Sequence, residues 1–310
     1  MFKKCLLLAA VVTAFPAMSV AKEIKTIGVS VGDLGNPFFM AIVKGVTDKS
    51  KELAGKDVKI ISGDMQWDLN KQFIQLDNFK GAGVDMIIVN AADPVAIEPA
   101  MKRMREAGII TVAVDVSAKG ADATVTTNNV QAGEIACNYI TDKLKGKGKV
   151  VILNAQPTSA VLDRVEGCKK SFAKAPGIKI LSDNQNAKGS RDGGMEVMTS
   201  LLTAHPQIDA VFAINDPEAI GADLAARQQG RKGIVMTSVD GAPDVEVALK
   251  EKGNQVEASA SQNPYAMAAK AVEVGFAIAK GTPPADPLTL IPSELVTREN
   301  IGSYKGWTAK

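Results

Sequence analysis

Short apolar, β-branched runs recur along the chain: TIGVSV from Thr26, VKIISG from Val58, MIIVN from Met86, ITVAVD from Ile110, VVILN from Val150, IKILSD from Ile178, AVFAIN from Ala210 and IVMTSVD from Ile234. Runs that are apolar on both faces suit strands of a parallel sheet covered by helices. The segments between them, such as KQFIQLDNFKGAG (71–83) and PAMKRMREAG (99–108), carry apolar residues at helical spacing and end in glycine, a common helix stop. Repeated strand–helix alternation predicts an α/β fold of doubly wound type.

Two similar halves are expected. NAADPVAIEPAM (90–101) is echoed by INDPEAIGADLA (214–225), and VAVDVSA (112–118) by TSVDGAP (237–243), so that each half carries an Asn and an Asp at strand ends. No low-complexity linker separates the halves, which places a compact crossover near Thr126 to Asn129. The Pro-rich TPPADP (282–287) reads as a late surface loop or crossover.

The N-terminus changes the picture of where the protein works. In MFKKCLLLAAVVTAFPAMSVA, Lys3 and Lys4 precede an apolar run, and Ser19, Val20 and Ala21 have the small-x-small form of a signal-peptidase site. Cleavage after Ala21 and export are therefore expected. A membrane anchor is the competing reading, but the apolar stretch is short for the roughly 20 residues of a spanning helix and is broken by Pro16. Cys5 opens the apolar run and is poorly placed to become a lipid-modified N-terminus.

Without residues 1–21, about 289 residues remain, more than one hydrophobic core usually organises, which again favours two domains. Loss of Lys3 and Lys4 takes the basic residues from 36 to 34, against 34 acidic ones. A formally neutral chain with no basic stripe gives nucleic acid no electrostatic footing. Two cysteines remain, Cys137 and Cys168. Export permits a disulfide between them; two separately buried thiols are the alternative, since both lie in helix-like segments.

Open α/β sheets bind ligands at the carboxyl ends of their strands, and Asn36, Asn90, Asp115, Asn215 and Asp240 all stand at such positions. Each also has a local reading: Asn36 before Pro37 is a good helix cap, as is Asn215 or Asp216. Phe38 and Phe39 fall in the first turn of the helix that Asn36 and Pro37 open, about 100° apart, so one helix face cannot easily bury both rings. At least one ring is expected to face a cleft, where an aromatic face beside Asn, Asp and Arg suits a sugar. The competing role is a hydrophobic staple.

Enzyme chemistry finds little support. His205, the single histidine, stands before Pro206 at a helix end, so neither a His-based triad nor a His metal site can be assembled. No GxGxxG follows the first strand and no GxxxxGK[ST] occurs, so no nucleotide cofactor is expected, and no metal. Asp115 with Asp240 as a glycosidase acid–base pair is the one catalytic alternative.

NPFF at Asn36 to Phe39, VAVD ending at Asp115, DRVEG at 163–167, LLTAHP followed by AINDPEAIGA, SVDGAP at 238–243 and ASQNPYAMA at 260–268 together resemble the ribose-binding group of periplasmic binding proteins, the receptors of bacterial ABC sugar importers. The resemblance covers essentially the whole mature chain. It implies two doubly wound lobes joined by a multi-stranded hinge, with the ligand in the cleft between them. The implied lobes are 22–128 with about 263–290, and 129–262 with about 291–310. The implied ligand contacts are Asn36, Phe38, Phe39, Asp115, Arg164, Asn215, Asp240 and Gln262, with Trp67, Asn90, Gln156 and Thr158 as further candidates. A small neutral monosaccharide or polyol is the implied ligand, ABC permease subunits the implied partners, the periplasm the location, and a monomer the state.

Three positions depart from the group. Val116 follows Asp115 where ribose binders carry Arg, Val239 precedes Asp240 where an aromatic is frequent, and Gly189 stands where the second lobe usually has an aromatic wall. A missing guanidinium favours a sugar alcohol or a differently shaped sugar. Lac-repressor-type regulators share this sensor fold but begin with a DNA-binding helix-turn-helix, where this chain has an export signal. A chemotaxis or quorum-signal sugar receptor using the same clamp is the alternative function.

Overall fold

The computed structural model describes residues 22–307; the expected leader, residues 1–21, lies outside them. The described chain builds two six-stranded sheets, each covered by helices on both faces. In the first, the strands run in the order β2 (Lys59–Asp64), β1 (Thr26–Val31), β3 (Met86–Val89), β4 (Ile110–Val114), β5 (Ala123–Thr127) and β11 (Leu288–Ile291), all parallel. The second repeats the pattern with β7 (Gly177–Asn186), β6 (Lys147–Asn154), β8 (Ala210–Ala213), β9 (Val235–Asp240), β10 (Val256–Ser261) and β12 (Leu295–Thr297), the last antiparallel to its neighbour. The internal echo of the sequence is thus a repeated topology: β3 and β8, and likewise β4 and β9, occupy equivalent places in the two sheets.

The period-two geometry of strands divides each apolar run between two cores. Met86 and Ile88 of β3 join Ile27, Val29 and Ile42 under helices α1 (Pro37–Ala54) and α9 (Pro264–Ala279), while Ile87 and Val89 face Leu76, Phe79 and Met101 of α2 (Leu69–Gly81) and α3 (Glu98–Glu106). α9 follows the second sheet in sequence and yet packs on the first, so both sheets draw on distant chain segments.

Three segments pass between the lobes: 128 between β5 and helix α4 (Asn129–Lys143), 262–263 between β10 and α9, and 292–294 between β11 and β12. Hydrogen bonds tie them to one another. Asn128 N donates to Ile291 O at 2.7 Å, Ser293 N to Gln131 Oε1 at 3.0 Å, Ser293 Oγ to Ser261 O at 2.8 Å, and Thr127 Oγ1 to Gln262 Oε1 at 2.8 Å. A hinge of three linked segments guides one opening motion better than a single linker does.

In the second lobe, α4 lies tightly against α5 (Ser159–Ala173). The approach depends on two glycines: a Cβ on Gly133 would strike the Arg164 carbonyl, and one on Gly167 the Val130 carbonyl. Cys137 and Cys168 form a disulfide between the same two helices, closing a separation of 31 residues.

Candidate functional site

A cleft of about 170 Å³ opens between the lobes, where the carboxyl ends of both sheets face each other. That volume is below the roughly 300–1,000 Å³ of pockets for drug-sized compounds, so the cleft suits a small ligand. Asn36, Phe38, Phe39, Trp67 and Asp115 line it from the first lobe; Gln156, Thr158, Arg164, Asn215 and Asp240 line it from the second, with Gln262 at the hinge.

β4 and β9 each end in an aspartate whose backbone has turned out of the strand, with φ +66° at Asp115 and +138° at Asp240. Such conformations cost on the order of 1–3 kcal/mol and persist only where the surroundings hold them. Here they turn two carboxylates toward the cleft at equivalent places in the two sheets. Asp115 Oδ2 accepts from Asn90 Nδ2 at 2.9 Å, and its backbone carbonyl accepts from Thr126 Oγ1 at 2.6 Å. Burial raises the Asp115 carboxyl from 3.8 to about 6, with Arg164 opposing the rise and Asp240 adding to it.

Asp240 Oδ1 accepts from Gln262 Nε2 at 2.7 Å and from Arg164 Nη1 at 3.2 Å. Burial pushes this carboxyl upward too, while Arg164 and Gln262 restrain it. Behind it, the wholly buried Asp216 accepts from Ser238 Oγ at 2.5 Å, Ser259 Oγ at 2.6 Å and Ala242 N at 2.7 Å, and so fixes the loop that presents Asp240. Burial and the neighbouring Asp240 hold the Asp216 carboxyl well above the usual range.

Arg164 is the cation of the cleft. Its Nε donates to Asn129 Oδ1 at 2.9 Å and its Nη1 to Ile214 O at 2.8 Å as well as to Asp240, which leaves Nη2 without a partner among the described residues. A guanidinium held on one edge and free on the other is a preorganised donor. Lys188 also borders the cleft, but its ammonium lies 3.5 Å from Glu196 Oε2 on the surface.

The helix-cap and cleft readings of the asparagines hold together. Asn36 caps α1 by accepting from Phe38 N at 2.9 Å, and Asn215 caps α7 (Asp216–Gln228) by accepting from Glu218 N at 3.1 Å; both also line the cleft. Asn215 Nδ2 donates to Gly189 O at 2.9 Å, and Gly189 N donates to Glu218 Oε1 at 2.8 Å, which pins the loop of the second-lobe wall. Phe38 and Phe39 meet edge to face at 5.3 Å and both border the cleft, although each is almost fully buried. Trp67 stands 5.7 Å from Phe39, also edge-on, and sits close over Gly32, where a Cβ would collide with the indole.

Asn90 is the expected residue that the cleft leaves out. It is fully buried behind Asp115, with Nδ2 spent on Asp115 and, at 3.4 Å, on Val114 O. The strand end that carries it stops one layer short of the cleft because β4 extends past β3 and turns at Asp115. Trp307 is the aromatic cleft residue that the sequence reading missed. It follows the last strand in an irregular tail, and only its rarity, as one of two tryptophans, could have drawn attention to it.

Two α/β lobes on a three-segment hinge, with polar and aromatic side chains converging between them, define a two-lobed solute receptor. The chain belongs to the periplasmic binding protein family: the family described as periplasmic binding protein domain matches residues 27–283. It is 33% identical over 277 residues to the ribose import binding protein RbsB of Bacillus subtilis, covering 86% of each chain. With a putative rhizopine-binding protein of Rhizobium meliloti it shares 31% identity over 306 residues, covering 95% of this chain and 97% of that one. Among solved structures, an ABC transporter solute-binding protein of Bacillus halodurans with bound myo-inositol superposes with a TM-score of 0.82 at 27% identity, over 93% of this chain and 99% of that one. Relatives of this kind are binding proteins of sugar and polyol importers. No described helix is long and apolar enough to cross a membrane.

Proposed function

We propose that this protein is a periplasmic receptor that closes over one small neutral sugar or sugar alcohol and delivers it to an inner-membrane ABC importer. The observation that carries the reading is Arg164: its Nη2 is free for a ligand while its other donors are fixed, and it stands between two buried carboxylates beside an aromatic floor. In this reading Arg164 donates to ligand hydroxyls, Asp115 and Asp240 accept from them, and C–H groups pack on Phe38, Phe39 and Trp67. Asn36, Asn215, Gln262, Gln156 and Thr158 complete the polar rim. Asn90 orients Asp115 from behind.

The division of the described residues between the two sheets supports lobes of 22–128 with about 263–290 and 129–262 with about 291–310, although Ile291 still belongs to β11 of the first sheet. Asp115 and the phenylalanines move with the first lobe, and Arg164 and Asp240 with the second, so closure completes the site and ligand selects the closed state. The same geometry makes a receptor a better reading than a glycosidase, because Asp240 is bound to Arg164 and Gln262 rather than poised to exchange a proton.

Thermal unfolding of the mature protein against pentoses, hexoses, inositols, linear polyols and the matching sugar phosphates tests the proposal. A ligand bound only by the native state stabilises it by RT ln(1 + [L]/Kd), about 4 kcal/mol at a thousandfold excess. A neutral member of the panel is expected to raise the midpoint. Stabilisation by phosphorylated sugars alone, or by no member, overturns the reading.

A further inference from the structure

The second lobe bears Gly189 where the resemblance calls for an aromatic wall, and among the described residues lining the cleft a single aromatic ring comes from the tail packed on that lobe, Trp307. We propose that Trp307 is a ligand-contacting, specificity-determining residue, and that the chain following β12 serves to deliver its ring to the cleft. The inference rests on the reading of the cleft as a sugar or polyol site.

The tail is anchored in steps. The Arg298 guanidinium donates to the carbonyls of Leu249, Glu251, Asn254 and Val256 at 2.6–3.1 Å, and Ile301 is buried in the second-lobe core. Tyr304 Oη then donates to Gly241 O at 2.9 Å, and Trp307 Nε1 to Asp240 O at 2.8 Å. Two tail side chains thus grip consecutive carbonyls of the turn that presents the Asp240 carboxylate, both residues of which have positive φ.

The indole is only 7% exposed and joins the apolar cluster that holds the first-lobe rings, meeting Phe38 edge-on at 5.4 Å. The rings Trp67, Phe39, Phe38 and Trp307 therefore form one continuous aromatic band, with centroid spacings of 5.7, 5.3 and 5.4 Å. Three belong to the first lobe. The fourth rides on the second, so closure brings the band together around whatever occupies the cleft. A buried indole needs a partner for its Nε1 in any role, and what points to a ligand is that the ring also borders the cleft beside Asp240. An indole tethered by its polar edge, with part of its ring bordering the cleft, is suited to the C–H surface of a polyhydroxylated ligand.

Fluorescence and calorimetry on the mature protein test this, using the tightest binder among D-ribose, D-allose, L-arabinose, myo-inositol and xylitol as the probe. With two tryptophans in the chain, emission from a Trp67→Phe protein comes from Trp307, and it is expected to shift on saturation. Trp307→Ala should weaken the probe roughly ten- to a hundredfold. Trp307→Phe, which keeps a ring but loses the bond to Asp240, should recover most of that loss. A probe that binds with Trp307 emission unchanged, or a Trp307→Phe protein as weak as Trp307→Ala, overturns the assignment of Trp307 while leaving the sugar reading intact. Failure of all five compounds to bind wild-type protein overturns both.

Discussion

Asn90 Nδ2 lies 2.9 Å from Asp115 Oδ2, in a position without solvent exposure, while Asn90 Oδ1 finds no partner among the described residues. Among the described residues, the amide supplies the one hydrogen bond to a carboxylate that burial has raised to about 6. Because its folded value lies above the unfolded 3.8, the ionised form of Asp115 costs the empty protein stability at neutral pH, about 3 kcal/mol, and the cost is relieved as pH falls through 6 toward 4.

Asp115→Asn should therefore raise the unfolding midpoint of the empty protein at pH 7.5 and flatten its rise between pH 7 and 5. The same substitution should weaken ligand, since a hydroxyl donor loses its charged acceptor. In the wild type, affinity should fall as pH drops below about 6, as the carboxylate that accepts from the ligand is protonated. Melting curves and calorimetry over pH 4.5–8 check both signs; a pH-independent affinity in that range excludes Asp115 as an ionised acceptor.

Arg164→Ala should weaken a neutral ligand by roughly 2 kcal/mol or more, because buried acceptors lose a charge-assisted partner. It should also lower native stability by about 1–3 kcal/mol, since Asn129, the Ile214 carbonyl and Asp240 lose their donor together. Urea unfolding and calorimetry separate the two effects. Unchanged affinity in a folded Arg164→Ala protein removes Arg164 from the site.

Replacing Cys137 and Cys168 by alanine should lower stability by roughly 3–4 kcal/mol in the chain-entropy account, for a loop closed across 31 residues. The bridge joins the helices that carry Asn129 and Arg164, so ligand affinity should fall less than stability. Thiol titration of native, periplasm-purified protein checks the premise: two reactive thiols after unfolding without reductant contradict it.

Phe38→Ala and Phe39→Ala should each weaken a neutral sugar or polyol by about 1–3 kcal/mol through lost packing. Both rings are buried, so each variant should also be destabilised by about 3–5 kcal/mol. Phosphorylated and carboxylated analogues should bind poorly to every variant, because Asp115 and Asp240 face them with Arg164 in compensation, the Lys188 ammonium at the border being paired with Glu196. Titration of matched neutral and anionic ligands decides; tighter binding of the anions contradicts the account.

Local pattern was sufficient for most of the architecture. The apolar runs beginning at Thr26, Val58, Met86, Ile110, Val150, Ile178, Ala210 and Ile234 became strands β1 to β4 and β6 to β9; burial on both faces explains the continuous signature of β1, β3, β4, β6, β8 and β9, whereas the edge strands β2 and β7 carry theirs half-exposed. Strands β5 (ATVTT) and β10 (VEASAS) had no such signature. Ser259, Thr126 and Thr127 are buried there with partners distant in sequence, as Asp216 is for Ser259 and Gln262 for Thr127, and no local window contains those partners.

The candidate site divides in the same way. Strand-end aspartates, the NPFF turn and the repeated halves mark most of the cleft in sequence, because loop chemistry at strand ends is local. Tertiary structure alone decided that Asn90 lies behind Asp115 rather than lining the cleft, and that Cys137 meets Cys168. It alone brought Trp307 from the tail to within a ring's breadth of Phe38. Periodicity reports which face of an element is buried, but the position of an irregular tail depends on hydrogen bonds to a turn some 67 residues earlier, and only the folded chain brings those groups together.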